Sequence, residues 1–250
     1  MITNIKNGEW HHADCFDAMK SISDGSIDMV LCDLPYGTTA CKWDAILPFE
    51  KLWKEYWRIS KPNAAIVLTA SQPFTSALVM SAPKQFRHSW IWNKRFAANV
   101  MQAKRQPLKI HEDVLVFSQL PPFYNRQMSK RDTPIKAGGA NAGSAIPNLS
   151  GEEARNAWST KVYDDKCPES IITYNVREGR GIHPTQKPVA LFEYLIRTYT
   201  KKGDTVLDNT AGSGTTAIAA ENAGRKWICI ERDEEYSRKA IERINTLPFL

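Results

Sequence analysis

An acid, a proline and a tyrosine stand together near the front of the chain. The stretch D-M-V-L-C-D-L-P-Y-G (28–37) ends an apolar run in Asp33, Leu34, Pro35 and Tyr36. A carboxylate at the end of a buried strand, followed by a stiff turn, is placed to accept N–H protons from an amine. The backbone carbonyl of Leu34 or Pro35 offers a second acceptor. Such a pair suits an amine on a heteroaromatic ring, whose lone pair is delocalised. Two acceptors favour a pyramidal nitrogen and aim that lone pair at an electrophile, and the acid stabilises the positive charge that develops. Tyr36 supplies a flat face for an extruded ring. This chemistry runs on positioning, so no cysteine nucleophile is expected. The same letters also make an ordinary Pro-Tyr-Gly turn, so a second constellation has to support the reading.

That constellation is D-T-V-L-D-N-T-A-G-S-G-T-T (204–216), with Glu231 closing the next apolar run. Glycines at 212 and 214 let a backbone approach a bound molecule closely. Acids ending adjacent strands are placed to accept hydrogen bonds from ribose hydroxyls, as in nucleoside-binding α/β folds. A plain glycine turn in an α/β protein is the alternative. No G-x-x-x-x-G-K-[ST] stretch occurs, and the free acids Asp208 and Glu231 repel a triphosphate but suit a cofactor that is cationic at its reactive end.

The elements needed to hold these groups are legible as alternating apolar runs and amphipathic stretches. Strands are predicted at 26–33, 64–70, 88–94, 113–118, 204–208 and 226–233. Helices are predicted at 48–60, 71–81, 187–203, 212–224 after the glycine turn, and 234–246. In the first helix Phe49, Leu52, Trp53, Tyr56 and Ile59 recur at helical spacing, and Lys61-Pro62-Asn63 stops it. The alternation predicts an α/β fold with a mostly parallel sheet. The segment 119–182 has no sustained period and holds Pro121-Pro122, Gly138-Gly139 and Pro147-Asn148, so it reads as a loop-rich insertion between halves at 1–118 and 183–250.

The chain has 250 residues, 42% hydrophobic and 24% charged, enough for one large domain with an insertion. Its net charge of +6 favours a polyanionic partner without requiring one. The five cysteines (Cys15, Cys32, Cys41, Cys167 and Cys229) are odd in number and form no C-x-x-C pair, which suits a reducing compartment. With no signal-peptide core and no membrane-length apolar run, a cytoplasmic protein is expected.

Together the two constellations resemble the amino-group DNA methyltransferases, the N6-adenine and N4-cytosine enzymes. Asp33-Leu34-Pro35-Tyr36 is similar to their D-P-P-Y catalytic motif, and Asp208 to Thr216 to their D-P-F-x-G-S-G-T cofactor motif. His183-Pro184-Thr185-Gln186-Lys187-Pro188 is similar to their H-P-T-Q-K-P segment. With the catalytic motif first, the order is the permuted β arrangement. The resemblance implies a seven-stranded sheet with one antiparallel strand and helices on both faces, S-adenosylmethionine as cofactor, and target recognition by the 119–182 segment. It implies that Asp14 contacts the cofactor's adenine amine, Glu231 its ribose, and Thr185 and Lys187 its methionine carboxylate. The implied cofactor set is then Asp14, Asp33, Thr185, Lys187, Asp208, Asn209, Ala211, Gly212, Gly214, Thr215, Glu231 and Arg232. Three positions depart from the pattern: Leu34 replaces a proline, Asn209-Thr210 replace Pro-Phe, and Ala13 stands where glycine is usual. The aspartate of D-L-P-Y favours adenine, with cytosine N4 as the alternative.

Between 84 and 111 lie seven cations and no acid among Lys84, Arg87, Lys94, Arg95, Lys104, Arg105 and Lys109 and their neighbours up to His111. Beside the catalytic strands this predicts a phosphate-contacting surface, with Lys94, Arg95, Lys104 and Arg105 foremost. Lys130 and Arg131, with the glycine-rich 137–143 stretch, are further DNA candidates that would order on binding. The interleaved Phe86, Trp90, Trp92 and Phe96 are expected in the core. His11, His12, Asp14 and Cys15 are too close in sequence for a metal site, and none is expected. A second copy of the chain and a restriction nuclease are candidate partners. The rival readings are a DNA-binding protein of this fold without turnover, and methylation of RNA or of a protein glutamine.

Overall fold

A computed structural model describes residues 1–37, 44–97, 99–136, 162–176 and 186–246. The chain divides into a large unit, Met1–Asn125 with Ser170–Leu250, and a small one, Arg126–Glu169. The large unit runs β1 (Ile2–Ile5), β2 (Gly8–His12), α1 (Cys15–Lys20), β3 (Ile27–Cys32), α2 (Phe49–Ile59), β4 (Ser60–Ala70), α3 (Phe74–Ser81), β5 (Phe86–Asn93) and β6 (His111–Phe117). The small unit contributes a two-stranded antiparallel ribbon, β7 (Ser129–Lys136) and β8 (Val162–Lys166). The large unit then resumes with β9 (Ile171–Thr173), α4 (Val189–Tyr199), β10 (Thr205–Asp208), α5 (Thr215–Ala223), β11 (Lys226–Glu231) and α6 (Glu234–Asn245).

The sheet of the large unit has nine strands in the order β1-β2-β11-β10-β3-β4-β6-β5-β9. From β2 to β4 all pairings are parallel, and β6 alone reverses between β4 and β5. Those seven strands are the sheet implied by the resemblance. The two additions are short edges, β1 antiparallel on β2 and β9 parallel on β5. The sequence did not announce β1, β2 or α1, because each is only four to six residues long, too short to show a sustained period. Nor did it announce β9, which lies inside the stretch read as insertion.

Helices cover both faces, and the period of two along each strand divides the core between them. Met29 and Leu31 of β3 join Ala65 and Val67 of β4 under α4, α5 and α6. Val30 and Cys32 join Ile66 and Leu68 under α1, α2 and α3. In α2 the buried residues are Leu52, Trp53, Tyr56 and Ile59, the stripe visible in sequence. That helix ends at Ile59 and the chain enters β4 directly at Ser60, before the Lys61-Pro62-Asn63 stop. Trp90 and Trp92 are buried, as expected of core aromatics.

Candidate active site

Because β3 and β10 are parallel neighbours, in register at Val206↔Met29 and Leu207↔Val30, their carboxyl ends finish side by side. This brings Asp33 next to the turn that follows Asp208, although the two motifs are far apart in the chain. The contact is direct: the Thr210 hydroxyl donates to the Asp33 carbonyl at 3.1 Å. Both motifs line one cleft of about 570 Å³, whose wall also includes Asp14, Glu112, Lys187, Glu231 and Arg232. The cleft lies at the carboxyl edge of the parallel strands, where open α/β sheets hold ligands.

Asp33 is fixed from three sides. Its Oδ1 accepts from the Tyr36 hydroxyl at 2.8 Å and from the Thr69 hydroxyl, and its Oδ2 accepts from Lys187 Nζ at 2.7 Å. Tyr36 also donates toward Thr69 at 2.9 Å, and its ring stacks on Phe74 with centroids 5.2 Å apart. Burial, then the charge of Asp33, pushes the Tyr36 phenol well above its ordinary pKa, so it stays a neutral donor. The Leu34 side chain points into the core, so any part it plays in the site falls to its backbone.

Lys187 is buried between two acids. Besides Asp33 it lies 3.5 Å from Glu112 Oε2, while Lys94 holds Glu112 Oε1 at 2.8 Å. A row of alternating charge, Asp33–Lys187–Glu112–Lys94, therefore runs along the cleft wall. Burial works to raise the Glu112 pKa, but Lys187 and Lys94 outweigh it and the net direction is down. Burial likewise opposes the charge of Lys187, and Asp33 with Glu112 reverse it to a net rise. The resemblance implied a carboxylate of the cofactor as the partner of Lys187. In the structure its charge is taken up by Asp33 and Glu112.

At the cofactor end, Gly212 and Gly214 take left-handed conformations with φ of 48° and 73°. Glu231 staples this turn to the end of β11. Its Oε2 accepts from the Gly212 N–H and its Oε1 from the Asp233 N–H, both at 2.8 Å. Burial raises the Glu231 pKa against these bonds. Asp208, 3% exposed, accepts from the Thr210 N–H at 3.0 Å and from the Thr216 hydroxyl, and burial still lifts its carboxyl to about 7. Asp14 caps α1 through Oδ1, which accepts from the Phe16 N–H at 2.9 Å.

Several expectations need correction. The side chain of Asn209 turns inward, its Oδ1 accepting from the Tyr56 hydroxyl at 2.6 Å and from the Cys32 thiol at 2.9 Å. Its Oδ1 thus anchors the turn, while its buried Nδ2 has no hydrogen-bond partner among the described residues. Gly214 does not line the cleft, its missing Cβ facing Ile244 and Ala240, whereas Thr215 does line it, with its hydroxyl 3.3 Å from Arg243 Nη1. Lys94 is 7% exposed and spent on Glu112, so it is no surface cation, because β5 delivers it to the cleft wall. Arg95, Lys104 and Arg105 are exposed as expected. In the small unit Lys130 pairs with Asp164 and Asp165, and Arg131 Nε donates to the Asp165 carbonyl. Both lie in the strand β7, and the Lys130 side chain, 74% exposed, makes its ion pairs at the surface. Thr185 and the 137–143 stretch lie outside the described residues. Thr69, Phe74 and Glu112 were not singled out from sequence; an acid beginning a strand in H-E-D-V-L-V-F was the one signal for Glu112.

The family profile described as DNA methylase, of the N6/N4 type, matches residues 27–242. Type II methyltransferase M1.MboII of Moraxella bovis is 27% identical over 262 aligned positions, covering 95% of this chain and 96% of that one. Type II methyltransferase M.HpaI of Haemophilus parainfluenzae is 26% identical over 247, covering 94% of this chain and 73% of that one. Among solved structures, the M1.HpyAVI–SAM complex superposes with a TM-score of 0.64 at 23% identity, over 94% of this chain and 99% of that one. The cytosine-N4-specific PvuII DNA methyltransferase gives 0.67 at 18%, over 98% and 88%. With two motifs meeting in one cleft and the profile spanning most of the sequence, the chain belongs to the N6/N4 DNA methylase family.

Proposed function

We propose that the chain is a site-specific DNA methyltransferase that uses S-adenosylmethionine and methylates the N6 amine of adenine, taken out of the duplex into the cleft. The observation that carries this reading is the contact of the Asp33 turn with the glycine turn through Thr210 and the Asp33 carbonyl. It unites an acceptor for an amine and a nucleoside-type turn in one space.

The residues fit the cofactor. The cleft volume of about 570 Å³ lies within the range of small-molecule sites. Asp14 and Glu231 supply acceptors for an adenine amine and ribose hydroxyls, and Gly212 lines the cleft without a side chain. When bound, S-adenosylmethionine supplies an electrophilic methyl group on a cationic sulfur. Asp33, pinned by Thr69, Tyr36 and Lys187, accepts an N–H of the target amine without reorganising. As the N–CH3 bond forms and the S–CH3 bond breaks to leave a neutral thioether, the amine would have one proton to give up, and the Asp33 carboxylate would be placed to accept it. Tyr36, which lines the cleft and is backed by Phe74, is placed to pack against the base.

Adenine is favoured because aspartate opens the D-L-P-Y turn. Cytosine N4 presents the same kind of amine, and the choice between them is an outcome of the test. The Type II naming of the relatives supports a restriction–modification setting, with a companion nuclease or a second copy of the chain as partners to look for. The place of 119–182 between the two motif halves supports a target-recognition role. Among the described residues no helix is long and apolar enough to cross a membrane.

Methylation-aware sequencing of DNA from cells expressing the chain reads base and site together. Signal at adenine supports the proposal, and signal at cytosine N4 overturns its choice of base. With labelled cofactor, Asp33→Ala is expected to lose transfer to unmodified DNA while still binding the cofactor. Normal turnover by that variant defeats the mechanism.

A further inference from the structure

The loop joining β5 to β6, described at residues 95–97 and 99–110, leaves the sheet at the edge where Asp33, Asp208 and Glu231 sit, because β6 runs against the parallel strands. Its two stems wall the cleft: Phe96 and Lys109 line it, and Lys109 Nζ donates to the hydroxyl of Ser71, just past β4. The loop closes on itself through Asn99, whose Nδ2 donates to the Pro107 carbonyl at 3.0 Å and whose Oδ1 accepts from the Lys109 N–H at 2.6 Å. A short 3₁₀ turn, Val100–Gln102, forms the tip. Met101 there is 99% exposed, Val100 beside it 59%, with Leu108 and Ile110 also exposed. Arg95, Lys104 and Arg105 are exposed in the same loop, which holds no acid.

Single exposed apolar residues require no explanation. Four in one pinned, wholly basic loop at the mouth of a cleft do. A duplex has the matching chemistry, with anionic strands outside and an apolar stack within. Removing one base from that stack leaves a gap and forfeits its stacking and pairing. Unbranched, polarizable side chains such as Met fill flat, irregular gaps well, and apolar wedges are a known means of holding a duplex open. We propose that Met101 is a wedge that enters the base stack where the target base has left, with Lys104 and Arg105 on the flanking phosphates. This rests on the reading that the target is extruded from a duplex. The closed loop makes the wedge stiff before DNA arrives, so little ordering is needed on binding.

The test uses the full chain and a duplex with the site found by sequencing, carrying a fluorescent analogue of the target base. Wild type is expected to brighten the analogue on binding, and Met101→Ala to reduce that rise and slow single-turnover methylation of the paired site by about tenfold. Against a duplex whose target faces an abasic position, where no base pair has to be broken or held open, the same variant should lose no more than about twofold. Met101→Leu, still an apolar wedge, should recover most of the rate. An unchanged rise and rate for Met101→Ala overturns the wedge, as does an equal loss on both duplexes. A loss that tracks dissociation of a dimer assigns Met101 to contact between copies and also overturns it. No brightening with wild type defeats base extrusion itself, and the wedge with it.

Discussion

Lys187 bears more on the site than its sequence motif suggests. It separates two acids, Asp33 at 2.7 Å and Glu112 at 3.5 Å, in a wall where it is itself buried. Lys187→Met leaves those acids facing each other without the cation. Breaking a buried pair in this way costs about 3–5 kcal/mol, to be read by urea denaturation. Adding Glu112→Gln removes one of the two acids and should recover part of the loss. If the double variant is no more stable than the single, the charge row is not coupled. Asp208 gives a pH signature of opposite origin. Its carboxyl sits at about 7, above the ordinary 3.8, because burial disfavours the charge. Folding therefore takes up a proton between those values, and this group's contribution to stability falls as pH rises from about 4 to about 7, by up to about 4 kcal/mol. Asp208→Asn keeps one oxygen for the Thr210 N–H, turns an amide N–H toward the Thr216 hydroxyl, which can rotate to accept it, and cannot titrate. Denaturation between about pH 5 and about pH 8 should show a flatter profile for the variant; parallel profiles reject the assignment.

At the scale of elements, the cofactor turn depends on one backbone conformation. Gly214, at φ 73°, turns the chain from the loop after β10 into α5. A Cβ there meets Ile244 at 3.2 Å and Ala240 at 3.3 Å, both in the core beneath α6. Gly214→Ala thus combines left-handed strain with a tight contact, together about 2 kcal/mol or more. A fall in Tm of roughly 4–8 °C is expected for a chain of this length, and an unchanged Tm refutes it. The helices most legible in sequence were those with a sustained apolar stripe, such as α2, since a 3.6 period survives without knowledge of neighbours. The six-residue α1 and the hairpin of β1 and β2 were silent. Their reason to form lies elsewhere: β2 is held by parallel pairing along β11, near the other end of the chain, and α1, capped by Asp14, follows directly from it.

At the scale of the molecule, a net charge of +6 becomes a DNA-facing property only where cations remain exposed. Arg95, Lys104 and Arg105 do, in the loop above the cleft, whereas Lys94 is consumed by Glu112. Lys104→Ala with Arg105→Ala is expected to weaken DNA binding and reduce the salt slope by about 2, one for each phosphate no longer neutralised. Titrations at several salt concentrations measure it, and an unaltered slope removes these residues from the interface.

The order of motifs, the alternation of strand and helix, and the two chemically loaded turns were all readable from the amino acids, because each is contiguous and its role follows from local geometry at a strand end. The sheet order, which sets β10 beside β3, decided that the turns meet. Tertiary structure alone also decided which cations are spent. Lys94 and Lys130 look alike in sequence to Lys104, yet the first two face acids delivered by other strands, and a charge acts on what lies within a few ångströms of it rather than on its neighbours in the chain.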